Sequence, residues 1–146
     1  MSHARKLIRQ AVVALLAGGS TAAGARVYDH PNAARTTFPA LVVEDAGEQQ
    51  APKSMPAGPG RTIERSYAFV VSAEVKQLSG YAEQRDDLLA QVEVLLATAG
   101  IGGVKSITPT LYMPDMDNTG EYPIVVGRQR FEALYYTEQG APGTTL

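Results

Sequence analysis

The segment Tyr67-Ala68-Phe69-Val70-Val71-Ser72-Ala73-Glu74-Val75 decides the fold of this chain. From Ile63 onward, apolar or aromatic side chains hold every odd position through Val75, interrupted only by Arg65. Polar residues fill most even positions, with Ala68 and Val70 as exceptions. Alternation with a period of two is typical of a β-strand with one buried face. The segment therefore predicts a long strand, and the two exceptions are consistent with burial on both faces near its middle.

Two amphipathic helices are predicted on either side of this strand. The first runs from about Ser2 to Ala17, with Ser2 as N-cap and Gly18-Gly19 as its end. A secretory signal peptide is the alternative for this segment, but its apolar residues keep helical spacing over three turns, which a signal peptide does not require. The second helix runs from about Gly80 to Ala99.

Further strands are predicted from short apolar runs bounded by turn residues. They are Arg26–Tyr28, Phe38–Glu44, Val104–Tyr112, Tyr122–Val126 and Arg128–Thr137. Strands cluster along the chain instead of alternating with helices, which favours the α+β class. We expect a mainly antiparallel or mixed β-sheet with two packed α-helices.

The sequence predicts one domain over residues 1–138. Asp45 to Gly60 contains three prolines, three glycines and no aromatic residue, so we expect a mobile loop inside the domain. Residues 139–146 contain two glycines and a proline and predict a flexible C-terminal tail.

Composition narrows the possible functions. The 146 residues include no cysteine and two histidines, and 13 basic against 15 acidic residues give a net charge of −2. Thiolate catalysis, disulfides and cysteine-based zinc sites are excluded. The slightly acidic balance argues against a protein that binds nucleic acid through a basic surface. No apolar run approaches the length that spans a bilayer, so we expect no membrane partner.

Motifs that would carry chemistry are incomplete. The run Asp115–Gly120 matches part of a calcium loop but lacks the closing glutamate, so we expect an acidic hairpin turn and no metal. No phosphate-binding loop or nucleophile elbow occurs. We predict no catalytic residue and no cofactor. A small enzyme or ligand-binding domain remains an alternative, and its site would involve His30, Glu44 or Asp45.

The layout of the chain resembles the lambda-type tail terminator proteins, the minor tail proteins of long-tailed bacteriophages. The resemblance covers most of the chain, and its most specific part is the strand Phe38-Pro39-Ala40-Leu41-Val42-Val43 followed by a variable loop. It also includes the helix Lys6–Leu16, the alternating strand Tyr67–Val75 and the closing strand Phe131–Tyr136. The family pattern is not shared in the loops 45–60 and 115–120.

The resemblance implies a structural protein without enzymatic activity that assembles as a ring of six on the tail tube. Such a ring stops polymerisation of the tube and presents a surface for attachment of the head. Its partners would be other copies of itself, the tail tube protein and the head–tail connector protein, with DNA only as passing cargo. The expected location is the head-proximal end of the virion tail, after assembly in the host cytoplasm. A head–tail joining or neck protein of similar fold is the alternative.

Charged residues near the predicted loops and strand ends are the candidates for contacts between subunits. The candidate assembly interface consists of Glu44, Asp45, Lys53, Arg61, Arg65, Asp115, Asp117, Arg128 and Arg130.

Overall fold

The computed structural model describes residues 2–19, 21–29, 38–53, 60–76, 80–98, 100–117 and 124–146. Its elements, in chain order, are α1 (Ala4–Gly18), β1 (Val27–Tyr28), β2 (Ala40–Pro52), β3 (Thr62–Lys76), α2 (Tyr81–Thr98), β4 (Val104–Asp117), β5 (Ile124–Glu138) and β6 (Ala141–Thr145). Within the described ranges, no helix combines the length and the apolarity that crossing a membrane requires.

All six strands belong to one mixed sheet. The strand order is β1-β2-β3-β5-β4, and β6 pairs with β5 beyond the start of β4. β1 and β2 are parallel, whereas the other pairs are antiparallel. The predicted α+β class, a mixed sheet with two α-helices, is confirmed.

The predicted alternation in β3 places one continuous core between the sheet and the two helices. The odd-numbered side chains from Tyr67 to Val75 are buried. Phe69 lies between two aromatic rings, 5.9 Å from Tyr67 and 5.6 Å from Phe131 between ring centroids. Buried apolar side chains from both helices join the same cluster, namely Ala4, Ile8, Val12 and Leu16 of α1 and Leu88, Leu89, Val92 and Leu96 of α2. On the opposite face of β3, Ala68 and Ser72 are also buried, in line with the predicted burial on both faces.

The predicted mobile loop over 45–60 is wrong for its first half. β2 continues through Pro52, because residues 48–52 keep their pairing with β3 after a register shift between Asp45 and Glu48. The backbone N–H of Lys53 also donates to the carbonyl of Thr62 at 2.9 Å. Composition alone underestimates the order of this segment. The partner strand β3 supplies main-chain hydrogen bonds, which the amino-acid composition of the segment does not reveal. Residues 54–59 lie outside the described part of the chain.

The C-terminal prediction also differs from the structure. The predicted tail contains β6, whose Thr145 and Ala141 pair with Thr137 and Glu138 of β5. The N–H of Leu146 donates to the carbonyl of Tyr136 at 2.8 Å. Glycine and proline predict weak intrinsic order, but the edge of β5 that β4 leaves uncovered supplies main-chain partners.

The two strands predicted at 122–126 and 128–137 are one strand, β5. Gly127 does not interrupt it, because this glycine lies where α2 packs closely on the sheet. A Cβ atom at position 127 would lie 2.8 Å from Cδ of Arg85 and 2.9 Å from Cδ1 of Leu89. The predicted acidic hairpin turn at 115–120 is wrong for residues 115–117, because β4 extends through Asp117. Residues 118–120 lie outside the described part of the chain.

Replacing Gly127 with alanine is expected to lower the free energy of unfolding by about 1–3 kcal/mol, because the added methyl group must displace Arg85 and Leu89 of α2. Urea denaturation followed by circular dichroism measures the change. Gly100→Ala is the matched control, because no atom lies within 4 Å of a Cβ at that position. Equal stability of the two variants would contradict close packing of α2 over Gly127.

Candidate functional site

A β-bulge turns the carboxylate of Glu48 toward the helix-covered face of the sheet. Gly47 adopts a φ of +100°, which favours glycine, and its N–H donates to Oδ1 of Asp45 at 3.0 Å. After the bulge Glu48 stands opposite Tyr67, a residue of the core-facing side. The Glu48 side chain is 4% exposed and contacts Arg5 in the first turn of α1.

Four side chains surround the Glu48 carboxylate; together with Glu48 they form the Glu48 cluster. Oε2 accepts hydrogen bonds from Nη1 of Arg5 at 3.0 Å, from Nη1 of Arg65 at 3.1 Å and from Nε2 of Gln50 at 2.7 Å. Oε1 accepts a hydrogen bond from the hydroxyl of Tyr135. The cluster therefore ties α1, β2, β3 and β5 together at one end of the core.

Arg65 is the one charged residue at an odd position in the alternating strand, and the cluster explains it. Its side chain is buried, and Nε donates to Oγ1 of the fully buried Thr137 at 2.8 Å. Arg65 was predicted as an interface residue that pairs with a neighbouring subunit. The structure instead places its guanidinium inside the chain, against Glu48.

His3 lies beside the two arginines and caps α1, in place of the predicted Ser2. Its Nδ1 accepts a hydrogen bond from the N–H of Arg5 at 3.2 Å. Its Nε2 lies 3.2 Å from Nη1 of Arg5 and 3.4 Å from Nη1 of Arg65. Removal from water and then the charge of Arg5 lower the pKa of His3 below its usual 6.5.

The protonation states of the cluster follow from its hydrogen bonds. Burial raises the pKa of Glu48, but hydrogen bonds from Tyr135, Gln50 and Arg65 outweigh it, and the net pKa is lower than that of an ordinary glutamate. Burial, followed by the hydrogen bond to Glu48, raises the pKa of Tyr135. Glu48 is thus ionised and Tyr135 protonated at neutral pH. Since both carboxylate oxygens already accept hydrogen bonds, the cluster is built as a brace between elements and not as a proton acceptor.

Stability is expected to fall as the pH drops below about 6.5, because the unfolded chain takes up the His3 proton before the folded chain does. The direction of this change follows from the lowered pKa of His3. Protonation of His3 in the folded chain would add a third cation beside Arg5 and Arg65. Thermal unfolding of the protein and of His3→Ser, which keeps an N-cap oxygen, measures this between pH 7.5 and 5. The variant should gain stability relative to the unmodified protein as the pH falls, and His30 contributes equally to both. A pH-independent difference would contradict this assignment.

The remaining predicted interface residues lie mainly at two opposite sides of the sheet. Glu44 and Asp45 are in β2, Lys53 follows it, and Arg61 precedes β3. The other four lie on β4 and β5, namely Asp115, Asp117, Arg128 and Arg130.

Several of these charges contact partners within the chain. Nη1 of Arg9 lies 3.8 Å from Oδ2 of Asp45, and Nζ of Lys53 lies 3.0 Å from Oε2 of Glu64. On the other side, Nη1 of Arg128 lies 3.3 Å from Oδ2 of Asp115, and Nη2 of Arg130 lies 3.7 Å from Oε1 of Glu132. Exposed pairs of this kind typically contribute about 0–1 kcal/mol each, so these pairs add little to the stability of the fold.

Among the residues that the structure describes, no three histidine or acidic side chains are grouped to hold a metal ion. His30, one centre proposed for an enzymatic site, lies outside the described residues. Sequence reasoning missed Glu48, His3, Arg5 and Tyr135 as a group. The interruption of the alternation at Arg65 was the one sequence signal that pointed to a buried charge partner.

Comparison with known proteins identifies a similar fold. No family model matches the chain, and no curated protein matches it. A chain of the solved structure "Virion of native gene transfer agent (GTA) particle" is similar, with a TM-score of 0.58 and 16% sequence identity. The match covers 87% of this chain and 94% of that chain. At this identity the likeness establishes a shared fold over nearly the whole of both chains.

Proposed function

We propose that this chain is a structural protein of a phage-like particle. The observation that carries the proposal is the fold shared with a chain of a gene transfer agent virion, which extends over 87% of this chain and 94% of the other. Because so little of either chain lies outside the shared fold, a virion role is the simplest function that fits it. The Glu48 cluster supports this role, since its geometry serves to hold elements together.

Within that class we propose a tail terminator that caps the tail tube as a ring of six, stops polymerisation and provides the surface for head attachment. The residue pattern from Lys6 to Tyr136 that resembles this family supports the proposal. The sheet also supports it, because β2 and β4 lie toward opposite ends of the strand order. Rings arise from head-to-tail contacts between two different surfaces, and opposite sides of one sheet supply such a pair. The partners would be the tail tube protein and the head–tail connector protein.

The candidate interface divides into two surfaces under this proposal. One surface lies along β2 and contains Glu44, Asp45, Lys53 and Arg61, and the other lies on β4 and β5 and contains Asp115, Asp117, Arg128 and Arg130. Arg65 is left out of both, because its buried guanidinium is bound to Glu48.

Electron microscopy of particles assembled without this protein tests the proposal. Tubes longer than normal are the expected result, because polymerisation would continue past its usual end. Tubes of normal length that are not attached to heads would instead assign a head–tail joining role. Normal, infectious particles would contradict both roles.

A further inference from the structure

A recess opens beside the Glu48 cluster, on the same face of the sheet. Its volume is about 370 Å³, at the lower end of the range for pockets that hold small ligands. Gln50 of β2 and Ile63 and Arg65 of β3 line it, and Gln139 lies at its rim in the turn after β5. The recess therefore combines an apolar wall with polar groups.

Arg65 supplies the buried charge of this recess. Its side chain is 10% exposed, and a guanidinium carries five N–H donors. Nε donates to Thr137 and Nη1 to Glu48, whereas Nη2 makes no hydrogen bond with any residue that the structure describes. Nη2 remains accessible from the recess. A buried cation with an unused donor at a cavity favours a ligand with a negatively charged acceptor.

The charges at the recess do not balance. Arg5 and Arg65 share the single carboxylate of Glu48, and the lowered pKa of His3 keeps its imidazole neutral at neutral pH. Two guanidiniums against one carboxylate leave an excess of one positive charge. Arg61, which interacts elsewhere within the chain as well, lies on the same wall. An incoming carboxylate would balance the excess.

The neighbouring acidic residues of the sheet project away from the recess. Glu64 precedes Arg65 in β3, and successive side chains of a strand project to opposite faces. Glu64 also lies 3.0 Å from Lys53 on that other face. Glu138 follows Thr137 in β5 and projects away from Arg65 for the same reason. These two carboxylates therefore do not neutralise the guanidinium in the recess.

The edge of β2 beside the recess offers main-chain partners to a peptide. Among the described residues, β1 covers this edge only at Leu41 and Val42. The N–H of Lys53 points toward β3, because it donates to Thr62. Main-chain groups of successive residues alternate in direction, so those of Gln50 point to the uncovered edge. A residue paired there with Gln50 places its side chain on the face of the recess.

The distance across the strands favours glutamate over aspartate as the acidic residue of such a peptide. Gln50 stands opposite Arg65, and neighbouring strands are about 4.8 Å apart, so the peptide backbone lies roughly 10 Å from that of β3. The Arg65 guanidinium covers part of this gap, since Nη1 reaches Glu48 of β2. The additional methylene group of glutamate helps to span the remainder.

We propose that the recess binds the carboxylate of a glutamate side chain on an extended segment of a partner protein. The segment pairs with the edge of β2 at Gln50, and its carboxylate accepts a hydrogen bond from Nη2 of Arg65. Arg65 then has a second role besides bracing Glu48. The site does not depend on the proposed ring or on a role in tails.

Titration with blocked peptides, followed by heteronuclear NMR of the full-length protein, tests this site. The probe is Thr-Val-Glu-Val-Thr, acetylated and amidated so that the glutamate carries its only charge. We expect shift changes centred on Gln50 and Arg65. The dissociation constant should be about tenfold lower than that of Thr-Val-Gln-Val-Thr, because a hydrogen bond to a charged acceptor is stronger. Equal affinity of the two peptides, tighter binding of Thr-Val-Asp-Val-Thr, or no binding at millimolar concentration would overturn the proposal.

Substitutions locate the binding in the recess. Gln139→Glu places a competing carboxylate at the rim and should weaken binding of the glutamate peptide about tenfold, to the level of the glutamine peptide. Gln91→Glu is the matched control at an exposed position of α2 and should change nothing. Glu48→Leu combined with Arg65→Met removes the guanidinium without leaving a buried charge, and it should abolish the preference for glutamate. Equal effects at positions 139 and 91, or a preference that survives in the double variant, would overturn the site.

Free anions provide the last comparison. Sodium acetate or sodium phosphate, equimolar with the glutamate peptide, should displace little of it, because neither can pair with the main chain of β2. Full displacement would overturn the peptide site and assign the recess to free anions. The length of tails made without the protein tests the proposed function separately, so either proposal can fail without the other.

Discussion

Glu48→Ala is expected to lower the free energy of unfolding by about 3–5 kcal/mol, the cost typical of breaking a buried ion pair from one side. The substitution leaves Arg65 buried without its carboxylate, and it removes the acceptor of the Tyr135 hydroxyl. Arg5, whose side chain is more exposed, can turn toward solvent and contributes less to the loss. Urea denaturation followed by circular dichroism measures the effect.

Two comparisons show whether burial is the cause. Glu64→Ala removes a glutamate from a partly exposed pair with Lys53, the residue after β2, and should change stability far less. Glu48→Leu combined with Arg65→Met should recover much of the loss, because an apolar pair needs no charge partner. If Glu48→Ala and Glu64→Ala were equally stable, the cluster would not be the brace that its geometry indicates.

The elements that the sequence predicts well are those specified by local periodicity. The alternation from Tyr67 to Val75 and the helical spacing of α1 and α2 each depend on residues within one element. The predicted helix ends at Ala17 and Ala99 lie within one residue of the observed ends at Gly18 and Thr98. Strand β1 was likewise predicted, because turn residues flank it in the sequence.

The features that the sequence does not predict depend on contacts between distant segments. The second half of β2 is polar and contains Gly47 and Pro52, so nothing local indicates a strand; pairing with β3 provides its order. β6 is similar, because its partner is the end of β5. Composition measures the intrinsic preference of a segment and not the hydrogen-bond partners that the fold brings to it.

The candidate site was predictable only in part for the same reason. Arg65 was recognised as a charge in an apolar pattern, but its partner lies 17 residues away beyond a β-bulge. A bulge shifts every later side chain of the strand to the other face, so a one-residue irregularity decides whether Glu48 faces the core or solvent. The two surfaces proposed for assembly depend on strand order, which follows from tertiary pairing and not from any one segment.

Phe69→Ala is expected to lower the free energy of unfolding by about 3–5 kcal/mol, because it removes the ring that packs between Tyr67 and Phe131 in the core. Val70→Ala is the matched control in the adjacent position, since this side chain lies on the opposite face and is partly exposed. Its cost should be about 1 kcal/mol, in line with the small apolar area lost. Urea denaturation measures both. Equal losses at positions 69 and 70 would show that the two faces of β3 are buried alike, and the alternation that specifies this fold would then lose its physical basis.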